Sequence, residues 1–211
     1  MFEIEYKGAN CVVISTKKAK IVVDPKLSIV GQKDISTNGF VELLTESRFS
    51  TNNTDQIIVI DGPGEYGIAE FDILGLPVRR HIDTESDGFK STMYRIEVGD
   101  TRIAVIGNIH NKLLDEQLEE LGLIDILIIP VGGGGYTLDS TTASSIVRMI
   151  NPKVVIPVHY YDKSLKYEVQ QDELQLFITE LGAPVEVVSK YKYKQSSLVQ
   201  SQLSIVEITR T

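Results

Sequence analysis

The hydrophobic pattern of the chain changes near its middle. In the first half, short apolar and β-branched runs alternate with turn-prone residues, which predicts an antiparallel meander. The predicted strands cover residues 2–6, 11–15, 21–23, 57–60, 71–74, 92–98 and 102–106. The run at 57–60 is wholly apolar and indicates a buried strand that leads into a glycine-rich loop. A helix is expected near residues 40–46.

The second half alternates helical and strand patterns. Leucines at 113, 114, 118 and 121 share one helical face. Helices are predicted at 112–121, 140–150 and 171–181, and strands at 126–131, 154–158, 185–188 and 203–208. A βαβ interpretation of residues 112–158 makes two of these strands parallel, so that their carboxyl ends point the same way.

Composition limits the class of protein. The chain has 211 residues, 42% hydrophobic residues and a formal charge of −8. This length suits a single domain over residues 1–211, with halves at about 1–110 and 111–211. The acidic balance disfavours nucleic-acid binding. The single cysteine, Cys11, is expected to be buried, and no signal or membrane segment is recognised, so a cytoplasmic protein without membrane contact is predicted.

Polar residues that could carry chemistry follow the predicted strands. Asp61 and Glu65 are carboxylates held in a loop rich in glycine and proline, where they suit metal binding, acid–base work or a plain turn. His159 directly follows an apolar strand, and it is either a ligand or catalytic group or a buried, hydrogen-bonded histidine.

Two further positions allow structural as well as functional roles. His110 lies between a strand and a helix, where a surface or capping role competes with a site role. Asp139 follows the run GGGGYTL and is well placed to cap the helix that begins at residue 140. The glycine run is not a P-loop, because no Gly-Lys-Ser/Thr sequence follows it.

Two segments resemble hydrolases of the metallo-β-lactamase superfamily. VVDPKLS resembles an early Asp-Pro element of that family. IDILIIPVGGGGYTLDSTTASSIVRMINPKVVIPVHYYD resembles the second half of the subgroup that contains the ascorbate-phosphate lactonase-like hydrolases. The resemblance covers roughly residues 2–208 and implies a four-layer αββα sandwich, in which two mixed sheets pack face to face with helices outside.

The chain departs from that family where the family binds metal. Counted from the strand at 57–60, the four functional positions of the H-x-H-x-D-H motif fall on Asp61, Pro63, Glu65 and Tyr66. The early Gly-His becomes Gly8-Ala9, and the later Gly-Asp becomes Gly107-Asn108. His159 and Asp139 remain as in the family.

These replacements predict a reduced metal site. Asp61, Glu65 and His159 are the candidate catalytic residues, and with Asn108 they could hold one Zn, Mn or Mg ion at most. No dinuclear zinc centre is expected. The residues expected around the site or in contact with substrate are His110, Asp139, Tyr66 and Tyr160.

Three functions are compatible with this sequence. The first is a binding or assembly module that keeps the fold without dinuclear hydrolase activity, with a small-molecule ligand or a second copy of the chain as its partner. The second is a hydrolase of a small ester, lactone or phosphoester with one metal or an altered, metal-free site. The third is a nuclease, which the negative charge and missing histidines disfavour.

Overall fold

The structure is a computed structural model, and it describes residues 1–193 and 202–211. Fourteen strands and three α-helices are present in these residues. The strands are β1 (Phe2–Gly8), β2 (Cys11–Ser15), β3 (Lys20–Val23), β4 (Val41–Leu43), β5 (Ile58–Ile60), β6 (Gly64–Ile68), β7 (Phe71–Val78), β8 (Ser91–Val98), β9 (Thr101–Val105), β10 (Ile126–Pro130), β11 (Val154–Val158), β12 (Val185–Val188), β13 (Tyr191–Tyr193) and β14 (Ser204–Ile208). The helices are α1 (Asp115–Leu121), α2 (Ser140–Ile150) and α3 (Leu174–Leu181).

The strands form two mixed sheets, as the resemblance predicts. The six-stranded sheet has the order β13-β1-β2-β3-β4-β5, and the eight-stranded sheet has the order β12-β14-β11-β10-β9-β8-β7-β6. The meander strands β1 to β3 are antiparallel, whereas β3, β4 and β5 run parallel. In the second sheet, β9, β10 and β11 are parallel, which confirms the βαβ prediction.

Burial follows the sheet layers. Every second residue of β1 is buried, because one face of that strand packs against the other sheet. Strands β10 and β11 are buried along their whole length, since a helix layer covers their second face. The continuous apolar runs of these two strands therefore reflect burial on both sides.

Three apolar clusters separate the layers. The largest joins side chains of both sheets, including Ile4, Ile96 and Ile156. A second cluster packs all three described helices against the eight-stranded sheet. On the outer face of the six-stranded sheet, the buried Cys11 lies in a third cluster with residues of the 3-10 turn Leu27–Val30 and with Leu165. This outer layer therefore consists of a short turn and a loop.

The helices predicted from residues 112 and 171 begin at Asp115 and Leu174, and two other predicted elements differ more from the structure. The helix expected near 40–46 is wrong, because Val41–Leu43 is strand β4, paired in parallel with β3 and β5. The strand predicted from residue 57 begins at Ile58 and lies at the sheet edge. There the side chains of Ile57 and Ile58 are exposed and that of Ile60 is buried, so the expected burial is present only at the end of the strand.

The described helices are short. None of the helices in residues 1–193 and 202–211 has the length and apolarity needed to cross a membrane. Helices α1, α2 and α3 contain 7, 11 and 8 residues, whereas about 20 apolar residues are needed to span a bilayer. The apolar faces of these helices pack on the eight-stranded sheet.

Candidate functional site

Three polar side chains from different strand ends meet at one edge of the sandwich. His159 directly follows β11, Asn108 lies just beyond β9, and Asn10 lies in the turn between β1 and β2. The Asn10 amide donates to Asn108 Oδ1 at 3.0 Å, and Asn10 Oδ1 lies 3.0 Å from His159 Nδ1. All three residues are buried. This network links the two sheets at the carboxyl ends of parallel strands, the usual place for a site in such a fold.

His159 is held in an uncommon conformation. Its φ is 51°, which is left-handed and infrequent for a residue other than glycine. Its backbone N–H donates to the carbonyl of Ala9 at 2.9 Å, and its ring stacks on Tyr167 with centroids 5.1 Å apart. These contacts fix the imidazole at the edge where the sheets meet.

The imidazole of His159 is neutral at ordinary pH. Burial, followed by the positive charge of Arg48, lowers the pKa of His159 to about 3. The amide nitrogen of Asn10 donates to Asn108, so the amide oxygen of Asn10 accepts from His159 Nδ1–H. With Nδ1 protonated, Nε2 carries the lone pair and can accept a hydrogen bond.

A buried carboxyl group lies in the same region. Asp24 follows β3, accepts hydrogen bonds from the Thr45 backbone N–H at 2.8 Å and from the Thr45 hydroxyl at 2.6 Å, and is 3% exposed. Burial raises the pKa of Asp24 to about 8, and the two bonds from Thr45 only partly oppose this. The Asp24 carboxyl is therefore mostly protonated at neutral pH, where a metal ligand would be ionised.

An arginine–glutamate ion pair follows β4. Arg48 binds the carboxylate of Glu46 with Nε at 2.9 Å and Nη2 at 3.0 Å, in a two-bond geometry that arginine favours. Arg80 Nη1 approaches the same carboxylate at 3.4 Å. The guanidinium of Arg48 also lies over the rings of Phe49 and Tyr136, 4.7 and 5.1 Å from their centroids.

A cavity of about 320 Å³ opens beside these groups. Its wall includes the polar residues Asn10, Asp24, Arg48, Tyr136, His159 and Gln171. Apolar side chains of Leu27, Val30 and Phe49 form another part of the wall. The cavity therefore combines neutral donors and acceptors, one strong cation and an apolar surface, which is typical of small-molecule sites.

The structure does not bring Asp61 and Glu65 together with His159 as a ligand set. Both carboxylates are exposed, and neither lines the cavity beside His159. Glu65 borders a separate surface depression that also contains Tyr66 and Arg95. Asn108, in contrast, lies in the His159 network as the strand-end pattern predicts.

The remaining predicted residues have local contacts. Asp139 caps α2 by accepting from the N–H of Thr142 at 2.8 Å. Tyr66 and Glu65 lie in strand β6 and not in the predicted loop, and the Tyr66 hydroxyl donates to the carbonyls of Gly62 and Pro63 just before that strand. His110 lines a second cavity of about 200 Å³, and burial and then Arg79 lower its pKa.

Tyr160 contacts two tyrosines that in turn contact His159. Its carbonyl accepts from the Tyr167 hydroxyl at 3.1 Å, and its ring lies 5.7 Å from that of Tyr6. The Tyr6 hydroxyl in turn accepts from the backbone N–H of His159 at 3.2 Å. Tyr160 thus helps to position Tyr167, the aromatic residue that stacks on His159.

Several residues of this site were missed by the sequence patterns. Asp24 and Arg48 line the cavity and Glu46 belongs to its ion pair, whereas the strand pattern had placed the motif after residue 60. Glu46 and Arg48 lie in the segment that follows β4, a segment whose start the hydrophobic pattern assigned to a helix. Recognising residues 41–43 as a parallel strand was the signal that would have located them.

The described side chains do not assemble a cluster of typical metal ligands. Within residues 1–193 and 202–211, no three His, Cys, Asp or Glu side chains form a group that could hold a metal ion. Asp61, Glu65 and His159 therefore do not form such a group. The cation of Arg48 acts on His159, and it would repel a divalent ion bound there.

Comparison with known families agrees with the fold. Residues 3–159 match the beta-lactamase superfamily domain. This match covers most of the chain, and the chain therefore belongs to that family. The two mixed sheets with flanking helices are the architecture that the resemblance in the sequence implied.

Two sequence relatives belong to one group of proteins. A UPF0173 protein of Pyrococcus furiosus is 31% identical over 94 residues, which cover 42% of this chain and 43% of that protein. A UPF0173 metal-dependent hydrolase of Natranaerobius thermophilus is 23% identical over 223 aligned positions, covering 88% of this chain and 99% of the relative. The chain thus matches less than half the length of the Pyrococcus relative.

A solved structure covers almost the whole chain. It is a Thermotoga maritima protein described as a Zn-dependent hydrolase of the metallo-β-lactamase superfamily. The two share a TM-score of 0.78 and 23% identity, over 99% of this chain and 100% of the other. At this identity the likeness establishes the fold, and the chemistry depends on the residues of the site.

Proposed function

We propose that this protein is a small-molecule-binding module that keeps the metallo-β-lactamase fold and has no dinuclear metal centre. The observation that carries this proposal is the Arg48–Glu46 ion pair beside the cavity. Arginine stays protonated at every physiological pH. A guanidinium whose charge acts on His159 therefore disfavours a divalent cation at that imidazole.

The polar groups of the cavity suit the binding of a small molecule without a metal. His159 is neutral, with Nδ1 engaged by Asn10, and Asp24 is protonated at neutral pH because burial raises its pKa to about 8. These groups can donate and accept hydrogen bonds to a ligand without a metal. The exposed pair Asp61 and Glu65 lies outside the cavity lining and is not needed for this role.

Metal analysis of the purified chain tests the proposal. We expect well below one equivalent of zinc, manganese or iron after dialysis. A ligand that binds only the folded state raises the melting temperature, so a chain without a metal site should show the same melting temperature when zinc or a chelator is added. The variant Asp61→Asn/Glu65→Gln is the matched control and should behave like the parent chain. About one equivalent of retained metal, with a chelator-sensitive melting temperature, would contradict the proposal and favour the single-metal hydrolase.

A further inference from the structure

The cavity beside His159 has a charged part and an apolar part. The Arg48 guanidinium forms one side, whereas Leu27, Val30 and Phe49 provide apolar surface. Its volume of about 320 Å³ is at the small end of the range for ligand sites, which is about 300–1,000 Å³. A small molecule with one polar end and one apolar end matches this wall.

The charges at the cavity favour an anion. Arg48 has five N–H donors, of which Glu46 engages two, and its side chain is 40% exposed. Lys26 is a second cation in the wall. The acidic residue Glu168 is exposed, where water screens its charge, and Asp24 adds no full negative charge at neutral pH. The planar fork of an arginine suits a carboxylate.

Resting on the proposed function, we propose that this cavity binds a small carboxylic acid with an apolar body. The carboxylate pairs with Arg48, and the apolar body packs on Leu27, Val30 and Phe49. Each part of the ligand is matched by a named group of the wall. Removing one part from a probe should therefore weaken binding by a separable amount.

Three probes test these parts by titration calorimetry on the full chain without metal. Mandelate carries both features, mandelamide lacks the charge, and inorganic phosphate lacks the apolar body. We expect mandelate to bind saturably, mandelamide to bind at least about tenfold more weakly, and phosphate not to saturate. Equal binding of mandelate and mandelamide, or saturable binding of none of the three, would overturn the inference.

Variants test whether the wall residues cause the preference. Arg48→Gln should weaken mandelate about tenfold and leave mandelamide unchanged. The matched control is Arg102→Gln, since Arg102 is 42% exposed, pairs with Glu97 at 3.4 Å and does not line the cavity. Equal losses in Arg48→Gln and Arg102→Gln would refute the assignment.

Two further measurements keep the outcomes distinct. If Arg48→Gln fails to fold, Arg48→Lys keeps the charge without the planar fork. The affinity of Arg48→Lys for mandelate should be lower than the affinity of the parent chain for mandelate and higher than the affinity of the parent chain for mandelamide. Retained metal in the parent chain would overturn the proposed function. Loss of charge preference in a metal-free, folded chain would overturn only the ligand class.

Discussion

At the scale of single residues, burial shifts the protonation of Asp24 and His159 in opposite directions. Burial raises the pKa of Asp24 to about 8 and lowers that of His159 to about 3. Both groups are therefore neutral at neutral pH. The free energy of unfolding therefore depends on pH with opposite signs for the two groups. Asp24 loses a proton on unfolding, whereas His159 gains one.

The variant Asp24→Asn tests the raised pKa. The folded chain holds a proton on Asp24 that the unfolded chain releases above about pH 4, so this group lowers the free energy of unfolding as pH rises toward 8, by at most about 1.4 kcal/mol per pH unit. His159 acts in the opposite sense from its folded pKa of about 3 up to its ordinary 6.5. The effect of Asp24 should therefore be clearest between pH 6.5 and 8.

Denaturant unfolding at several pH values provides the measurement. The parent chain should lose stability between pH 6.5 and 8, and Asp24→Asn should show a flatter profile there, because its amide does not titrate. Asp55→Asn, at an exposed position, is the control and should follow the parent chain. Parallel profiles for the parent chain and Asp24→Asn would show that Asp24 does not hold its proton in the folded state.

At the scale of elements, sequence patterns located the helices and most strands but misassigned the segment that forms β4. Helices α2 and α3 have long apolar faces, and their period is clear. The three residues of β4 contain the fully buried Glu42, whose carboxylate binds Ser50 and Thr51 across the following turn. A buried carboxylate satisfied by residues eight or nine positions away leaves no periodic signal, so tertiary contacts decide this strand.

The cap of α2 is a testable feature at this scale. Asp139 accepts a hydrogen bond from the N–H of Thr142, whereas Glu173, at the same position of α3, makes no side-chain cap bond. We expect Asp139→Ala to lower the free energy of unfolding by about 0.5–2 kcal/mol. Glu173→Ala is the matched control and should cost less than about 0.5 kcal/mol. Chemical denaturation measures both, and equal losses would contradict a specific capping role for Asp139.

At the scale of the whole molecule, the order of strands explains why the fold was predictable and the site was not. The alternation in β1 and the continuous apolar runs of β10 and β11 reflect the layers that bury them, so these patterns predict two packed sheets. The site depends instead on which strand ends meet across the two sheets. Asn10 and His159 are 149 positions apart, and only the closure of the sandwich brings them together.

The same closure predicts that metal binding can be introduced by changing two residues. Glu46 and Arg48 already contact each other, and the charge of Arg48 acts on His159. In Glu46→His/Arg48→His the repelling guanidinium is absent, and two imidazoles join that of His159. Three nitrogen ligands with water as the fourth are a known arrangement for zinc.

Zinc content after dialysis measures this change. We expect the Glu46→His/Arg48→His chain to retain about one equivalent of zinc and the parent chain to retain well below that. Glu46→Gln/Arg48→Gln is the matched control, because it removes the same two charges without adding imidazoles. Zinc retention by the glutamine variant at the same level, or none by a folded histidine variant, would show that this edge of the sandwich does not assemble a metal site.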